Sequence, residues 1–177
     1  MTHLIRCLSF ILGFALLAPF TGMAPQPAHA QTKKAFGSDT GFPLPRYVSI
    51  RNAPANLRLG PSEGHKVDWT LMHAGMPVQI IDEEGLWRQV KLYDGLRGWM
   101  HKSLLSGART LLVVSNGRAA LHTKADGNTK IAAYAERGVI LRAQECQPRW
   151  CQVRKGEIKG WVSRRQIWGV DATETFK

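Results

Sequence analysis

An internal repeat limits the possible folds of this chain more than any other feature. Residues 78–90 align with residues 141–153 without a gap, at an offset of 63, and both segments contain Trp-x-x-Val. Both continue through a glycine-bearing polar turn into a Gly-Trp pair, Gly98-Trp99 and Gly160-Trp161. Such self-similarity indicates two copies of one small structural unit, each about 62 residues long.

Each repeat contains short β-rich pieces separated by turn residues. In the first repeat these pieces are 78–81, 89–92 and 98–101, and Asp94-Gly95 is a strong tight-turn signal. No long stretch has helical periodicity. Short strands joined by hairpins must close on themselves to cover their edges. The predicted fold class is therefore all-β, with two tandem small β-barrels.

The first thirty residues have the pattern of a secretory signal peptide. Arg6 precedes an uncharged apolar run at 7–20, and Ala28-His29-Ala30 is a small-x-small cleavage site. The alternative is a membrane anchor, but the run is shorter than the roughly 20 residues that a spanning helix needs. We expect cleavage before Gln31, a periplasmic or secreted location, and no membrane span in the mature chain.

The repeat boundaries give the expected domain organisation. It comprises a signal peptide at 1–30, a flexible leader at 31–44, barrel one at 45–109, barrel two at 110–170 and a tail at 171–177.

Two cysteines remain after the expected cleavage, Cys146 and Cys151. In an oxidising compartment such a pair usually forms a disulfide. Zinc would need about four ligands, and no histidine lies near this pair in sequence. We therefore predict a Cys146–Cys151 disulfide and no metal. The disulfide would stabilise the second barrel, because a barrel this small is only marginally stable without a covalent cross-link.

The charge of the chain favours an anionic partner. The full chain carries 24 basic and 13 acidic residues, a net +11. Export makes nucleic acid a poor candidate, so carboxylates or phosphates of the cell envelope are the better expectation. The alternative is that the basic residues only keep a small secreted protein soluble.

Several motifs together resemble bacterial SH3 (SH3b) domains. They are N-x-R-x-G-P-S at 56–62, W-x-x-V at 87–90 and D-G-x-x-G-W at 94–99. The chain is similar to the exported two-repeat subtype of Gram-negative bacteria, which shows P-L-P-R (43–46), Trp-Cys (150–151) and a W-G-V ending (168–170). The resemblance implies SH3-like barrels and a cell-wall role beside amidases and peptidases, without one conserved ligand. The second repeat lacks the G-P-S turn.

The tryptophans divide into two groups. Four recur at matching positions in both repeats, which favours a framework role in packing: Trp87, Trp99, Trp150 and Trp161. Trp69 and Trp168 do not recur as pairs, so either is a candidate to stack on a ligand.

Arginines in the second repeat are the other candidate ligand residues. Residues 46–109 carry nine basic and six acidic residues, whereas 110–177 carry twelve and six. The fork of arginine pairs well with carboxylate or phosphate. We predict that Arg149, Arg164 and Arg165 contribute to an anion-binding surface. Since adjacent strand residues point to opposite faces, only one of the last two should reach a given ligand.

Nothing in the sequence indicates catalysis or a cofactor. The histidines after residue 30 stand alone, and neither a nucleophile motif nor a phosphate-binding glycine loop is present. The acidic cluster at 82–84 leads into a turn and is expected to be solvated. We therefore expect no catalytic residues. The predicted function is a non-catalytic envelope module that binds peptidoglycan or another anionic wall polymer. The alternative is a periplasmic protein–protein adaptor.

Overall fold

A computed structural model describes residues 35–177 of the chain, so the predicted signal peptide and residues 31–34 lie outside the described residues. Residues 35–177 contain sixteen strands and two 3₁₀ turns. The strands form two seven-stranded sheets and one two-stranded sheet. The all-β fold class with two tandem SH3-like barrels is thereby confirmed.

The first barrel follows a short N-terminal hairpin. The strands are β1 (Ala35–Phe36), β2 (Pro43–Leu44), β3 (Arg46–Ile50), β4 (Ala55–Arg58), β5 (Val67–Leu71), β6 (Pro77–Glu84), β7 (Trp87–Lys91), β8 (Arg97–His101) and β9 (Leu105–Ser106). A 3₁₀ turn, Lys102–Leu104, separates β8 from β9. The barrel sheet has the order β5-β4-β8-β7-β6-β3-β9, and β1 pairs with β2.

The second barrel repeats this arrangement. Its strands are β10 (Thr110–Val113), β11 (Ala119–His122), β12 (Ile131–Ala135), β13 (Ile140–Cys146), β14 (Trp150–Lys155), β15 (Ile158–Ser163) and β16 (Ile167–Trp168). A 3₁₀ turn, Arg164–Gln166, precedes β16. The order β12-β11-β15-β14-β13-β10-β16 matches the first barrel strand for strand.

Each barrel has its own aliphatic core, built from the inward face of alternating strands. On β14, for example, Cys151 and Val153 are buried, whereas Gln152 between them faces outward. The first core contains Ile50, Ala55, Leu57, Val78, Ile80, Val90 and Met100. The second contains Leu111, Val113, Ala119, Leu121, Leu141, Val153 and Val162.

The recurring Gly-Trp pair has a geometric cause. Gly98 faces inward, and a Cβ atom there would lie 2.6 Å from Cγ of Leu57. At Gly160 a Cβ would lie 2.9 Å from Cβ of Leu121. Only glycine permits this close approach of β8 to β4 and of β15 to β11. The following residue is then the outward one, which places a tryptophan on the outer face of each barrel.

The four recurring tryptophans therefore lie outside both cores. None is among the buried core residues of the described chain, and each is half-buried. They pack on the outer surface instead: the Trp87 ring contacts His101 edge-on, with ring centroids 5.5 Å apart. Their packing is on the outer surface and not in the barrel interiors, because strand alternation assigns the inward positions to their neighbours.

A buried ion pair stabilises one end of the first barrel. Glu83 and Arg88 are cross-strand partners on β6 and β7, and both are 5% exposed. Oε1 of Glu83 lies 3.6 Å from Nε of Arg88 and accepts a 2.6 Å hydrogen bond from Nη2 of Arg46. The expectation that the 82–84 cluster is solvated is wrong for Glu83, because an irregularity of β6 between Ile80 and Asp82 shifts the strand alternation and turns Glu83 inward.

The same carboxylate holds the N-terminal hairpin. The Thr40 amide and hydroxyl donate to Glu83 at 2.9 and 2.8 Å, and the Ser38 hydroxyl donates to the Glu83 carbonyl oxygen. Residues 35–44 are therefore attached to the first barrel, whereas the whole 31–44 segment was expected to be a flexible leader. Burial raises the pKa of Glu83, but hydrogen bonds from Thr40 and Arg46 outweigh it and lower this pKa to about 2.

The two barrels contact each other along a seam. The Tyr47 and Trp168 rings meet edge-on, with centroids 5.0 Å apart. The Thr110 hydroxyl donates to the Gly75 carbonyl at 2.7 Å. The connection between β9 and β10 is only three residues long, 107–109.

Candidate binding groove in the second barrel

An open groove of about 730 Å³ lies at the end of the second barrel where β13 turns into β14. It contains three of the ligand residues predicted from sequence, together with one tryptophan. Its lining is Ala125, Asp126, Gly127, Pro148, Arg149, Trp150, Ser163, Arg164 and Arg165. The groove thus combines an aromatic side chain with cationic ones.

The disulfide constrains the β13–β14 connection, which lines part of this groove. Cys146 and Cys151 are bonded, with Cα atoms 4.1 Å apart, and both side chains are buried. They are cross-strand partners on β13 and β14, so the bond closes the connection that carries Pro148 and Arg149. Since Cys151 faces inward, its neighbour Trp150 must face outward into the groove.

The surroundings of Trp150 hold its ring while leaving part of it exposed. Its cross-strand partner is Ser163, whose small side chain leaves space beside the ring. His122 contacts the ring edge-on, with centroids 5.4 Å apart. A Cβ atom at Gly127 would lie 3.8 Å from the ring, so the 123–130 loop lies close beside it. An aromatic ring held in this way can stack on an apolar ring face of a ligand.

Arg149 and Arg165 are the exposed cations of the groove, and Asp126 is its acidic residue. Oδ1 of Asp126 accepts a 3.0 Å hydrogen bond from the backbone N–H of Asn128, which shapes the loop. The groove therefore presents positive charge for a carboxylate or phosphate and a carboxylate that can accept from hydroxyl or amine donors.

Arg164 lines the groove but has a structural role. Its guanidinium donates to the carbonyl oxygens of Gln147 and Glu174 at 2.9 and 2.8 Å, and also to that of Asp171. It lies in a 3₁₀ turn, not on a strand as expected. Three backbone carbonyls accept from its guanidinium, so Arg164 ties the C-terminal tail to the barrel, and Arg149 and Arg165 are the cations that the groove leaves exposed.

The tail is held at two further points. Glu174 pairs with Arg109, whose hydrogen bonds lower the pKa of Glu174. Phe176 forms a backbone bridge with Cys146, with hydrogen bonds of 2.9 and 3.2 Å in the two directions. The tail thus runs beside the hairpin that forms the groove.

The two predicted ligand tryptophans lie elsewhere. Trp168 packs against Tyr47 in the seam between the barrels, so its ring is used in an internal contact. Trp69 is 55% exposed on β5 of the first barrel and is not among the groove residues. Sequence reasoning instead missed Trp150 as a groove residue. The inward position required for Cys151 was the signal that would have placed Trp150 outside.

Across residues 35–177, no cluster of three or more His, Cys, Asp or Glu side chains is arranged to hold a metal ion. The same part of the chain has no helix of the length and apolarity needed to cross a membrane.

The two barrels, each a seven-stranded antiparallel sheet with an outward Gly-Trp tryptophan, define the class of fold. The model of the bacterial SH3 domain matches residues 51–107 and 115–169, one match for each barrel. The chain therefore belongs to the bacterial SH3 domain family.

Two solved structures share weak similarity with the chain. One is the structure of NlpC2 from Trichomonas vaginalis, at 11% identity and a TM-score of 0.33, over 73% of this chain and 51% of that one. The other is NlpC1 from the same organism, at 11% identity and a TM-score of 0.31, over 75% of this chain and 48% of that one. The chain spans about half the length of each. A search of curated proteins finds no match.

Proposed function

We propose that this protein is a non-catalytic binding module of the bacterial cell envelope, located in the periplasm or secreted, whose groove recognises peptidoglycan or another anionic wall component. The observation that carries the proposal is the juxtaposition of Trp150 with Arg149 and Arg165 in one open groove. Membership of the bacterial SH3 family supports a binding role.

The groove chemistry suits a glycan that carries carboxylates. Trp150 offers an aromatic surface for the apolar face of a sugar ring. Arg149 and Arg165 offer planar forks that form paired hydrogen bonds with carboxylates. Asp126 provides an acceptor for hydroxyl, amide or amine donors. A peptide-bearing amino-sugar polymer contains all of these partners.

Sedimentation with purified peptidoglycan sacculi tests the proposal. We expect the protein, as the chain from residue 31 onward, to pellet with sacculi and to be released by added salt. Replacing both Arg149 and Arg165 with alanine should weaken binding to sacculi by roughly tenfold or more. Trp150→Ala should also weaken binding, and the loss should depend less on salt concentration because the ring carries no charge.

The first barrel supplies the matched control. Arg97 and Lys102 are exposed cations there, so their alanine variant removes the same charge from another surface. Arg88 is not a suitable control because it is buried beside Glu83. Equal losses from the two double variants would show that only net charge matters. Absence of wild-type pelleting at low salt would overturn wall binding.

One observation favours a protein–protein adaptor as the second candidate. Strand β5 ends the sheet of the first barrel, and Trp69 on it and Met72 just after it are 55% and 64% exposed. An exposed edge strand with apolar side chains can pair with an extended segment of another protein. If the protein is an adaptor, it should remain in the supernatant when sacculi are sedimented. Trp69→Ser should then abolish cross-linking to its protein partner.

A further inference from the structure

A row of cations crosses the outer face of the second barrel, away from the groove end. Arg142 on β13 is the cross-strand partner of Arg154 on β14, and Arg154 is the partner of Lys159 on β15. Directly paired residues of antiparallel strands point to the same face. All three side chains are exposed. The row therefore places three like charges side by side on neighbouring strands.

This arrangement costs stability, because like charges directly opposite each other repel. Compensation is slight. Glu157 lies 3.6 Å from Arg154, but its side chain is 98% exposed, so this surface pair contributes little. Arg154 also donates to the Gly156 carbonyl at 2.8 Å, which fixes its direction. A costly feature with so little internal compensation indicates an external partner.

The row borders two adjoining clefts. One, of about 500 Å³, is lined by Arg142, Arg154 and Lys155 together with Thr110, Ile140, Gln144 and Gly156. The other, of about 190 Å³, lies at the barrel seam and shares Thr110 and Arg142 with the first, adding Arg51. Among the described residues, neither lining contains an acidic side chain. Arg51 is held by two hydrogen bonds to the Leu105 carbonyl.

We infer that this cation row, Arg142–Arg154–Lys159 with Lys155 beside it, is a second binding site that takes a chain of linked phosphates. Neighbouring strands lie about 4.8 Å apart, so the row spans about 10 Å. One carboxylate would leave most of this charge unneutralised, whereas a chain of linked phosphates supplies several negative charges along the length of the row. Arginine forks pair with phosphate oxygens in two bonds at once.

The first barrel provides an internal comparison. The equivalent positions there are Gln79, Lys91 and Arg97, joined by the same register. The pair Lys91 and Arg97 is retained, but Gln79 replaces the third cation. The second barrel should therefore bind linked phosphates and the first should not.

Titration with inorganic tripolyphosphate tests the inference, with citrate at equal ionic strength as the carboxylate control. Calorimetry should show binding of tripolyphosphate well above that of citrate. Arg142→Gln should weaken it roughly tenfold, the scale of one charge-assisted hydrogen bond. Arg97→Gln in the first barrel should leave it within twofold. Gln79→Arg should add a second, weaker site.

Stability of the ligand-free protein separates binding from a structural role. Arg142→Gln should leave the melting temperature unchanged or raise it, because a repelled charge is removed; a clear decrease would overturn the inference. Equal losses from Arg142→Gln and Arg97→Gln, or equal binding of citrate, would also overturn it. So would binding only to phosphatidylglycerol-containing vesicles, which would assign the row to lipid headgroups.

The inference is independent of the proposed function. The double alanine variant of Arg149 and Arg165 should lose sacculi and keep tripolyphosphate. Arg142→Gln should lose tripolyphosphate and keep most binding to sacculi.

Discussion

The two barrels share a fold but stabilise the same point in different ways. Glu83 and Arg88 of the first barrel occupy the positions that Cys146 and Cys151 occupy in the second, both as cross-strand partners before a hairpin turn. One pair is a buried ion pair and the other is a covalent bond. Two chemically unrelated pairs thus join the same two strands, at the same hairpin, in the two barrels.

Each pair also receives one end of the described chain. The N-terminal hairpin docks on Glu83 through Thr40, and the tail docks on Cys146 through Phe176. The difference lies in what each contact depends on. The ion pair requires an ionised carboxylate and is sensitive to acid, whereas the disulfide requires oxidising conditions and is insensitive to acid.

The largest effect is expected from removing the buried carboxylate. Glu83→Ala leaves Arg88 buried without its ion-pair partner, so the free energy of unfolding should fall by about 3–5 kcal/mol. Urea denaturation measures this. The control is Glu84→Ala, which removes the neighbouring, exposed carboxylate and should change stability little. A small effect at Glu83 would mean that the hairpin turn alone closes this end of the barrel.

Acidification should remove stability in a defined range. The pKa of Glu83 is about 2 when folded against an ordinary 4.5, so its contribution is complete above pH 4.5 and is lost as the pH falls towards 2. The full contribution is about 3 kcal/mol by linkage. Denaturation midpoints measured across this range should decline steeply. The slope should flatten in Glu83→Ala; an unchanged slope would place the acid sensitivity in other carboxylates.

Loss of the disulfide should have a smaller effect. Closing so short a loop contributes about 2 kcal/mol by the chain-entropy relation, so the double serine variant at Cys146 and Cys151 should lose about that much. Reduction of the wild type should match it. Thiol labelling of denatured, unreduced protein should find no free cysteine among these two.

A transplant sharpens the comparison further. Replacing both Glu83 and Arg88 with cysteine should produce a second disulfide and a protein whose stability declines less steeply between pH 4.5 and about 2. Failure of the new cysteines to oxidise would show that the two sites differ in backbone geometry.

The smallest effect is expected in the tail. Glu174 and Arg109 are both partly exposed, so Glu174→Gln should cost about 1 kcal/mol or less. The structural effect of Glu174→Gln should be confined to the tail. Amide exchange at Phe176 should accelerate, while the amides of the first barrel stay protected. Uniform acceleration would indicate that the tail pair supports the whole fold.

The repeat pattern predicted the architecture well because strand length, turn residues and Gly-Trp pairs are local signals. The sequence also predicted the pairing of Cys146 with Cys151, since these are the only two cysteines after the expected cleavage site. The basic residues Arg149 and Arg165 do line one groove. The other features of the groove depend on which face of the barrel each side chain occupies, and amino-acid composition does not reveal the face.

The ion pair is the instructive failure. Glu83 stands in an acidic cluster, which resembles a solvated turn when read along the chain. In the alignment of the two repeats it matches Cys146, a position predicted to form a disulfide. The register of the repeats, and not the local charge, therefore indicates which residue of the cluster is structurally important. Arg164 is a similar case, because its carbonyl partners come from the tail and no local pattern predicts them.

The short connection at 107–109 has a consequence for how the molecule engages a large ligand. With only three residues between β9 and β10, each barrel is present at the other at a high effective concentration, so even a modest seam remains closed. A polymer that contacted both barrels would therefore meet their surfaces at a fixed separation. Avidity in such a molecule depends on whether the repeat distance of the polymer matches that separation.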